Sequence, residues 1–103
     1  MSRITLQPKL AGETRNYAFD FASGLASGET ISTKVVTATV YSGTDASPSS
    51  IVSGAASSSG SVVTQAITGG VVGVIYELLC TITTSTGQTL LISAALAIIQ
   101  ELP

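Results

Sequence analysis

Apolar and polar residues alternate in short runs along this chain, and turn-forming residues separate the runs. Tyr17, Phe19 and Phe21 occupy every second position, which predicts a half-buried strand over residues 16–21. Runs rich in Val, Ile and Thr predict further strands over residues 30–41, 51–57, 61–68, 74–84 and 89–99. Gly, Ser, Pro and Asp fill the connections. No stretch has the apolar period of an amphipathic helix.

Details of the pattern predict which residues face the core. In the run over residues 74–84, alternation places five residues on one apolar face: Val74, Tyr76, Leu78, Cys80 and Ile82. The alternation over residues 30–41 changes phase near Val35 and Val36, which predicts either a bulge or a strand covered on both faces. Residues 58–60 and 85–88 read as hairpin turns, with Gly87 placed for a left-handed conformation.

Six or seven short strands at regular spacing favour an all-β fold, an antiparallel immunoglobulin-like β-sandwich of about seven strands. A small closed barrel is the competing architecture. A chain of 103 residues has room for one core, so we expect a single sandwich domain over residues 13–103. Pro8 and Gly12 bracket a segment with little packing capacity, which predicts that residues 1–12 form an N-terminal arm or a first edge strand.

The composition excludes several classes of function. Charged residues make up 10% of the chain and apolar residues 45%, and Ser and Thr replace charge. The absence of His removes catalytic triads and imidazole metal ligands, and one cysteine forms neither an internal disulfide nor a thiolate zinc site. A net charge of −2 with four basic residues indicates neither nucleic-acid nor anionic-lipid binding. We therefore predict a non-enzymatic protein without catalytic, cofactor-binding or metal-binding residues.

Several single residues carry groups that could take part in chemistry. Cys80 lies mid-strand on the apolar face, so we expect an inert core thiol. The acidic residues are isolated in sequence and are expected at turns and edges: Glu13, Asp20, Glu29, Asp45, Glu77 and Glu101. Glu77 is interpreted as a guard against edge pairing. Gly69, Gly70 and Gly73 are expected to be turn glycines. Tyr76 is predicted to be a core residue with its hydroxyl bonded to backbone, whereas Tyr41 is equally compatible with the core and with a contact surface.

Targeting and membrane segments are not indicated. The first nine residues carry no apolar run of signal-peptide length. The apolar run over residues 89–99 is too short for a membrane-spanning helix, which needs about 20 residues, and it is predicted to be a buried strand. These features predict a protein made in the cytoplasm of its cell.

Two blocks of the sequence resemble a known family. Residues 13–31 contain Asn16-Tyr17, Asp20-Phe21 and Gly28-Glu29-Thr30-Ile31, and residues 73–88 end on Thr83-Thr84-Ser85-Thr86-Gly87-Gln88. These two blocks resemble those of the small tailed-bacteriophage structural proteins known as fiber-tail adaptors. Similar small β-domains also decorate capsids. The family commonly has Trp where Phe21 and Gly24 stand here.

The resemblance implies a virion structural protein that docks on head, neck or tail proteins as an adaptor or decoration subunit, with tail fibres among its partners. It also implies several copies in a symmetric assembly. The low charge agrees, because a subunit packed among others has less need of surface charge than a free monomer. The alternative is an immunoglobulin-like binding module that recognises carbohydrate or a host surface ligand, although five aromatic residues leave few for a sugar site.

Overall fold

Eight strands and two short 3-10 helices make up the fold in the computed structural model, which describes residues 3–100, with side chains from residue 4 onward. The strands are β1 (Arg3–Thr5), β2 (Lys9–Leu10), β3 (Thr14–Asp20), β4 (Ile31–Ser42), β5 (Val52–Ser59), β6 (Val62–Thr68), β7 (Ile75–Thr84) and β8 (Thr89–Ile99). The 3-10 helices span Ala22–Gly24 and Pro48–Ile51. The all-β prediction is confirmed. Residues 1 and 2 of the predicted arm, and residues 101–103 with Glu101, lie outside the described range.

The strands form two sheets, which confirms a sandwich and not one closed barrel. The five-stranded sheet has the order β1-β8-β7-β4, and β2 pairs with β8 beyond the end of β1. The three-stranded sheet has the order β3-β6-β5. All pairs are antiparallel except those of β1 and β2, which run parallel to β8. The sheet is therefore mixed, a detail that the expected antiparallel arrangement did not include.

The strand order supports the predicted immunoglobulin-like type. Immunoglobulin-type sandwiches pack strands A-B-E-D against strands C-F-G. Here β3-β6-β5 has the order B-E-D, and β4-β7-β8 has the order C-F-G. The N-terminal segment, however, pairs with β8 at the edge of the other sheet and not with β3. The immunoglobulin-like assignment and the domain boundary at residue 13 stay predictions.

The phase change in β4 is a bulge, and it lies earlier than the sequence indicated. The register of β4 against β7 shifts between Ile31 and Thr33 and again between Val40 and Ser42. Beyond the first shift the alternation is regular, so Val36 is buried and Val35 is 52% exposed. The turn predicted over residues 85–88 is confirmed, and the one predicted over 58–60 lies at residues 60–61 instead, because Ser58 and Ser59 belong to β5. Gly60 and Gly87 both adopt positive φ.

The core lies between the two sheets and follows the predicted inward face of β7. Tyr76, Leu78, Cys80 and Ile82 are fully buried, and Val74 is nearly so. They pack with Phe19 and Ile67 of the three-stranded sheet and with Leu96 of β8. Gly70 permits one close approach at the sandwich end, because a Cβ atom there would lie 2.8 Å from Cγ1 of Ile98.

Candidate interaction surfaces

Cys80 is placed as expected, on the inner face of β7. Its side chain is fully buried and belongs to the apolar cluster. Burial raises the pKa of the thiol to about 11, because the thiolate would lose its hydration. A thiol that is both inaccessible and protonated is not a nucleophile at neutral pH.

Asp45 and Tyr76 tie two loops together at one end of the sandwich. The Tyr76 hydroxyl donates to Asp45 Oδ2 over 2.6 Å and accepts the backbone N–H of Val71 over 2.9 Å. Asp45 Oδ1 accepts the N–H of Ser47. The hydrogen bond from Tyr76 lowers the pKa of Asp45, and burial raises the pKa of Tyr76. The predicted core role of Tyr76 is confirmed, including the backbone bond; the Asp45 contact had no signal in the sequence.

Glu29 organises the opposite end of the sandwich. Its Oε2 accepts from the hydroxyls of Thr84 and Thr86, and its Oε1 accepts the N–H of Ala26 over 2.9 Å. These hydrogen bonds, that from Thr84 first, lower the pKa of Glu29 because they stabilise the carboxylate. Glu29 therefore holds a loop against the β7–β8 hairpin, and its carboxylate serves the fold.

Lys9 and Glu13 fasten the N-terminal segment. The Lys9 side chain is fully buried, and its ammonium donates to the backbone oxygens of Leu10, over 2.7 Å, and Glu13. The Glu13 carboxylate accepts the N–H of Leu10 over 2.9 Å. Burial lowers the pKa of Lys9, and the charge of Glu13 acts against that shift. Tyr17 of β3 adds a bond from its hydroxyl to the backbone oxygen of Gln7, over 2.9 Å.

Gln65 has a structural role that the sequence reasoning missed. It is 1% exposed, and its amide nitrogen donates to the backbone oxygens of Ser53, Gly54 and Ala66 at 3.0–3.2 Å. The register of β5 against β6 is irregular between Ser53 and Ser57, so this side chain binds carbonyls in the irregular stretch. A polar residue between Val63 and Ile67 on the inward face was the available signal.

The other acidic residues do not form a site. Asp20 accepts from the N–H of Ala22 and the hydroxyl of Ser61. Glu77 accepts from the Ser93 hydroxyl over 2.8 Å. Its strand β7 lies between β4 and β8, so the interpretation of Glu77 as an edge guard is wrong. Across residues 3–100, no three His, Cys, Asp or Glu side chains lie close enough to share a metal ion.

The outward face of the five-stranded sheet combines exposed apolar side chains with hydroxyl groups and little charge; we call it the outer face. Matched rows run across β4, β7 and β8. The row at the hairpin end is Thr33, Thr83 and Thr89, and the next row is Val35, Thr81 and Leu91. Val35 and Leu91 are 52% and 39% exposed. The other members are Thr37, Leu79, Ser93, Thr39, Glu77, Ala95, Ile75 and Ala97. Glu77 is the one charged side chain that these three strands direct to this face.

The opposite outward face, on the three-stranded sheet, is made of shorter side chains. Its outward positions are Thr14, Asn16, Ala18, Asp20, Ser53, Ser57, Ser59, Val62, Thr64, Ala66 and Thr68. Apart from Val62 these are small or polar, so the two faces of the sandwich differ in chemistry.

Tyr41, whose place the sequence left open, is 59% exposed near the end of β4. Gly69, Gly70 and Gly73 all have positive φ in the turn before β7, as expected.

A groove opens along one side of the sandwich, between the two sheets. It has a volume of about 740 Å³. Ile4, Phe21, Leu90 and Ile92 supply apolar side chains, and Ala18 and Asp20 border it from β3.

Within residues 3–100 no helix is long and apolar enough to cross a membrane.

These features define a β-sandwich module of the structural class: its described carboxylates, buried amide and thiol serve the fold, and one large face is nearly uncharged. A model of the podophage GP4 fiber-tail adaptor protein gp77 family matches residues 9–97. The chain belongs to this family, and it is a phage fiber-tail adaptor. The match covers both blocks on which the resemblance was based, residues 13–31 and 73–88. No curated protein is significantly similar to the chain.

Proposed function

We propose that this adaptor works without catalysis, by binding neighbouring tail and fibre proteins through the outer face of its five-stranded sheet. The observation that carries the proposal is the composition of that face, where Val35 and Leu91 are exposed and Glu77 is the one charged side chain that β4, β7 and β8 direct outward. Lys34 of β4 is on the inward side, paired with Ile82. Covering such a face removes apolar area from water and desolvates few charges.

The composition also explains how the face remains soluble in a free subunit. Hydroxyl groups accompany the apolar side chains in two of the rows: Thr81 lies between Val35 and Leu91, and Thr37 and Ser93 flank Leu79. A hydroxyl can bond to water in the free protein and to a partner's backbone in the complex. Interfaces of non-permanent complexes have this mixed character.

Carbohydrate recognition has less support. Of the five aromatic residues, Tyr17, Phe19, Phe21 and Tyr76 are buried, and Tyr41 is exposed. A single exposed ring offers little stacking surface for a sugar. The proposal also includes several copies in a symmetric assembly and synthesis in the host cytoplasm. Quantitative mass spectrometry of purified particles measures the copy number directly.

The test places a charge on each face in turn. Val35→Glu adds a carboxylate to the outer face, and Ser57→Glu adds the same group to the opposite face as the matched control. Both positions are exposed, so both variants should keep the melting temperature of the wild type. The measurement is the amount of adaptor in particles assembled with each variant.

We expect Val35→Glu to lower incorporation by about tenfold or more, since a carboxylate desolvated at an interface costs at least the equivalent 1.4 kcal/mol. Ser57→Glu should be incorporated normally. Normal incorporation of a folded Val35→Glu protein would show that the outer face is not the docking surface. Loss with Ser57→Glu alone would move the interface to the three-stranded sheet.

A further inference from the structure

The outer edge of β3 lacks a neighbouring strand. Its pairing with β6 is regular from Thr14 to Asp20, and the N–H of Phe21 donates to the oxygen of Ser61. In an antiparallel ladder the bonded residues alternate, so Phe19 and Tyr17 also bond to β6. The backbone N–H and C=O groups of Ala18 and Asp20 therefore point away from the sheet. Among residues 3–100, no strand pairs with this edge.

The free edge and the groove are parts of one gap. In an immunoglobulin-type sandwich the B-E-D sheet continues to strand A beside strand B. Here the N-terminal segment pairs with β8 instead, which leaves the place beside β3 open. Beside the first residues of β3, hydrogen bonds from the side chains of Arg15 and Tyr17 to the backbone oxygens of Pro8 and Gln7 close this gap. Beside Ala18 and Asp20 the gap stays open and forms the groove.

The edges of β4 and β5 show features that discourage pairing, whereas residues 16–20 of β3 do not. The edge of β4 has register shifts at both ends and a partly buried lysine, Lys34, on its inner face. The edge of β5 is interrupted between Ser53 and Ser57. Residues 16–20 of β3 have no register shift, no proline and no basic residue.

We propose that the β3 edge accepts an extended segment of a neighbouring tail protein, which adds as a fourth strand and seals the groove. Its backbone would bond to Ala18 and Asp20, and its inward side chains would lie on Phe21, Leu90, Ile92 and Ile4. Among the described side chains that line the groove, Asp20 is the one that carries a charge, so the segment should carry a Lys or Arg beside alternating apolar residues. The identity of the donor as a tail protein rests on the proposed function.

The probe is a short synthetic peptide, Lys-Thr-Val-Thr-Ile-Thr-Val-Lys, with a control of equal composition in which the three apolar residues are adjacent. The readout is amide hydrogen exchange of the full chain by NMR. Strand addition should slow exchange at the amides of Ala18 and Asp20, by about tenfold when the peptide is at about ten times its Kd. The amide of Phe19, already bonded to β6, is the internal reference.

Three variants make the test specific. Ala18→Pro removes an outward N–H that the fold does not use, so it should keep its melting temperature and lose peptide binding. Ser58→Pro makes the same change at the outward edge of β5 and should bind normally. Asp20→Asn keeps the oxygen that accepts from Ala22 and Ser61, and it should weaken binding several-fold by removing the charge.

The proposal is overturned if the peptide does not bind, or binds without protecting Ala18 and Asp20. It is also overturned if the control peptide protects them equally. Sedimentation showing that wild-type protein pairs through this edge, with Ala18→Pro monomeric, would make a second copy the occupant. None of these results bears on the outer face, which is tested separately by incorporation of Val35→Glu.

Discussion

Replacing Tyr76 with phenylalanine tests the bond network that ties the loops at one end of the sandwich. The substitution keeps the buried ring and removes the hydroxyl alone, so it opens no cavity of side-chain size. Two hydrogen bonds disappear, the 2.6 Å bond to Asp45 and the 2.9 Å bond from the N–H of Val71. The loop that contains Asp45 and the turn that contains Val71 then lose their common anchor.

The expected destabilisation follows from the loss of hydrogen bonds at a buried hydroxyl. A net hydrogen bond contributes about 0.5–1.5 kcal/mol, and an unsatisfied buried group adds to the loss. Val71 is 45% exposed as a residue, so water replaces part of the lost bonding. We expect Tyr76→Phe to lower the free energy of unfolding by about 1.5 kcal/mol, which lowers Tm by about 6–12 °C in a domain of this size.

Urea unfolding monitored by circular dichroism measures the change, provided that the m-value stays constant. Tyr17→Phe is the matched control, because it removes a buried tyrosine hydroxyl that donates to the backbone oxygen of Gln7, and should cost about 1 kcal/mol or less. A double-mutant cycle of Tyr76→Phe with Asp45→Ala should show that the two effects are not additive.

The reasoning is refuted if Tyr76→Phe unfolds at the same urea concentration as the wild type. It is also refuted if the effects of Tyr76→Phe and Asp45→Ala add fully. In either case the hydroxyl would not hold the two loops together, and their order would come from packing alone.

Three further predictions concern buried or bonded polar groups. Gln65→Glu is nearly isosteric and replaces the donating amide with a carboxylate that faces the oxygens of Ser53 and Gly54. Urea unfolding should show that the free energy of unfolding falls by about 3 kcal/mol or more. Equal stability would contradict the assigned role of Gln65. Cys80 should resist thiol reagents at pH 8 until the protein unfolds. Since the pKa of Cys80 rises from 9.0 to about 11 on folding, the free energy of unfolding should fall as pH rises from 9 to 11. Cys80→Ala should remove this part of the pH dependence of stability. Glu29 has a pKa below its ordinary value of 4.5, so its contribution is complete above that pH and is lost as pH falls through the lower folded value. Acid titration of Glu29→Gln should therefore be flatter below pH 4.5 than that of the wild type, and parallel curves would exclude the assigned role.

Much of the fold could be predicted from alternation along the chain. In β7 the inward face from Tyr76 to Ile82 is buried as predicted, because side chains of a strand alternate strictly between two faces. Gly60 and Gly87 mark hairpin turns for an equally local reason, since their positive φ is unfavourable for other residues. The absence of His and the scarcity of charge indicated a structural role through composition alone, and the family match agrees.

Tertiary structure decided which surfaces and bonds those strands create. The parallel pairing of β1 and β2 with β8 joins opposite ends of the chain, and strands of two or three residues carry too little pattern to indicate a partner. Asp45 meets Tyr76 across 31 positions of sequence, which no local signal encodes. Position 77 was read correctly as outward-facing, but the neighbours of β7 decided that it lies mid-sheet. Local periodicity determines the direction of a side chain within its strand, whereas the gap beside β3 and the nearly uncharged outer face form only when strands distant in sequence pair with one another.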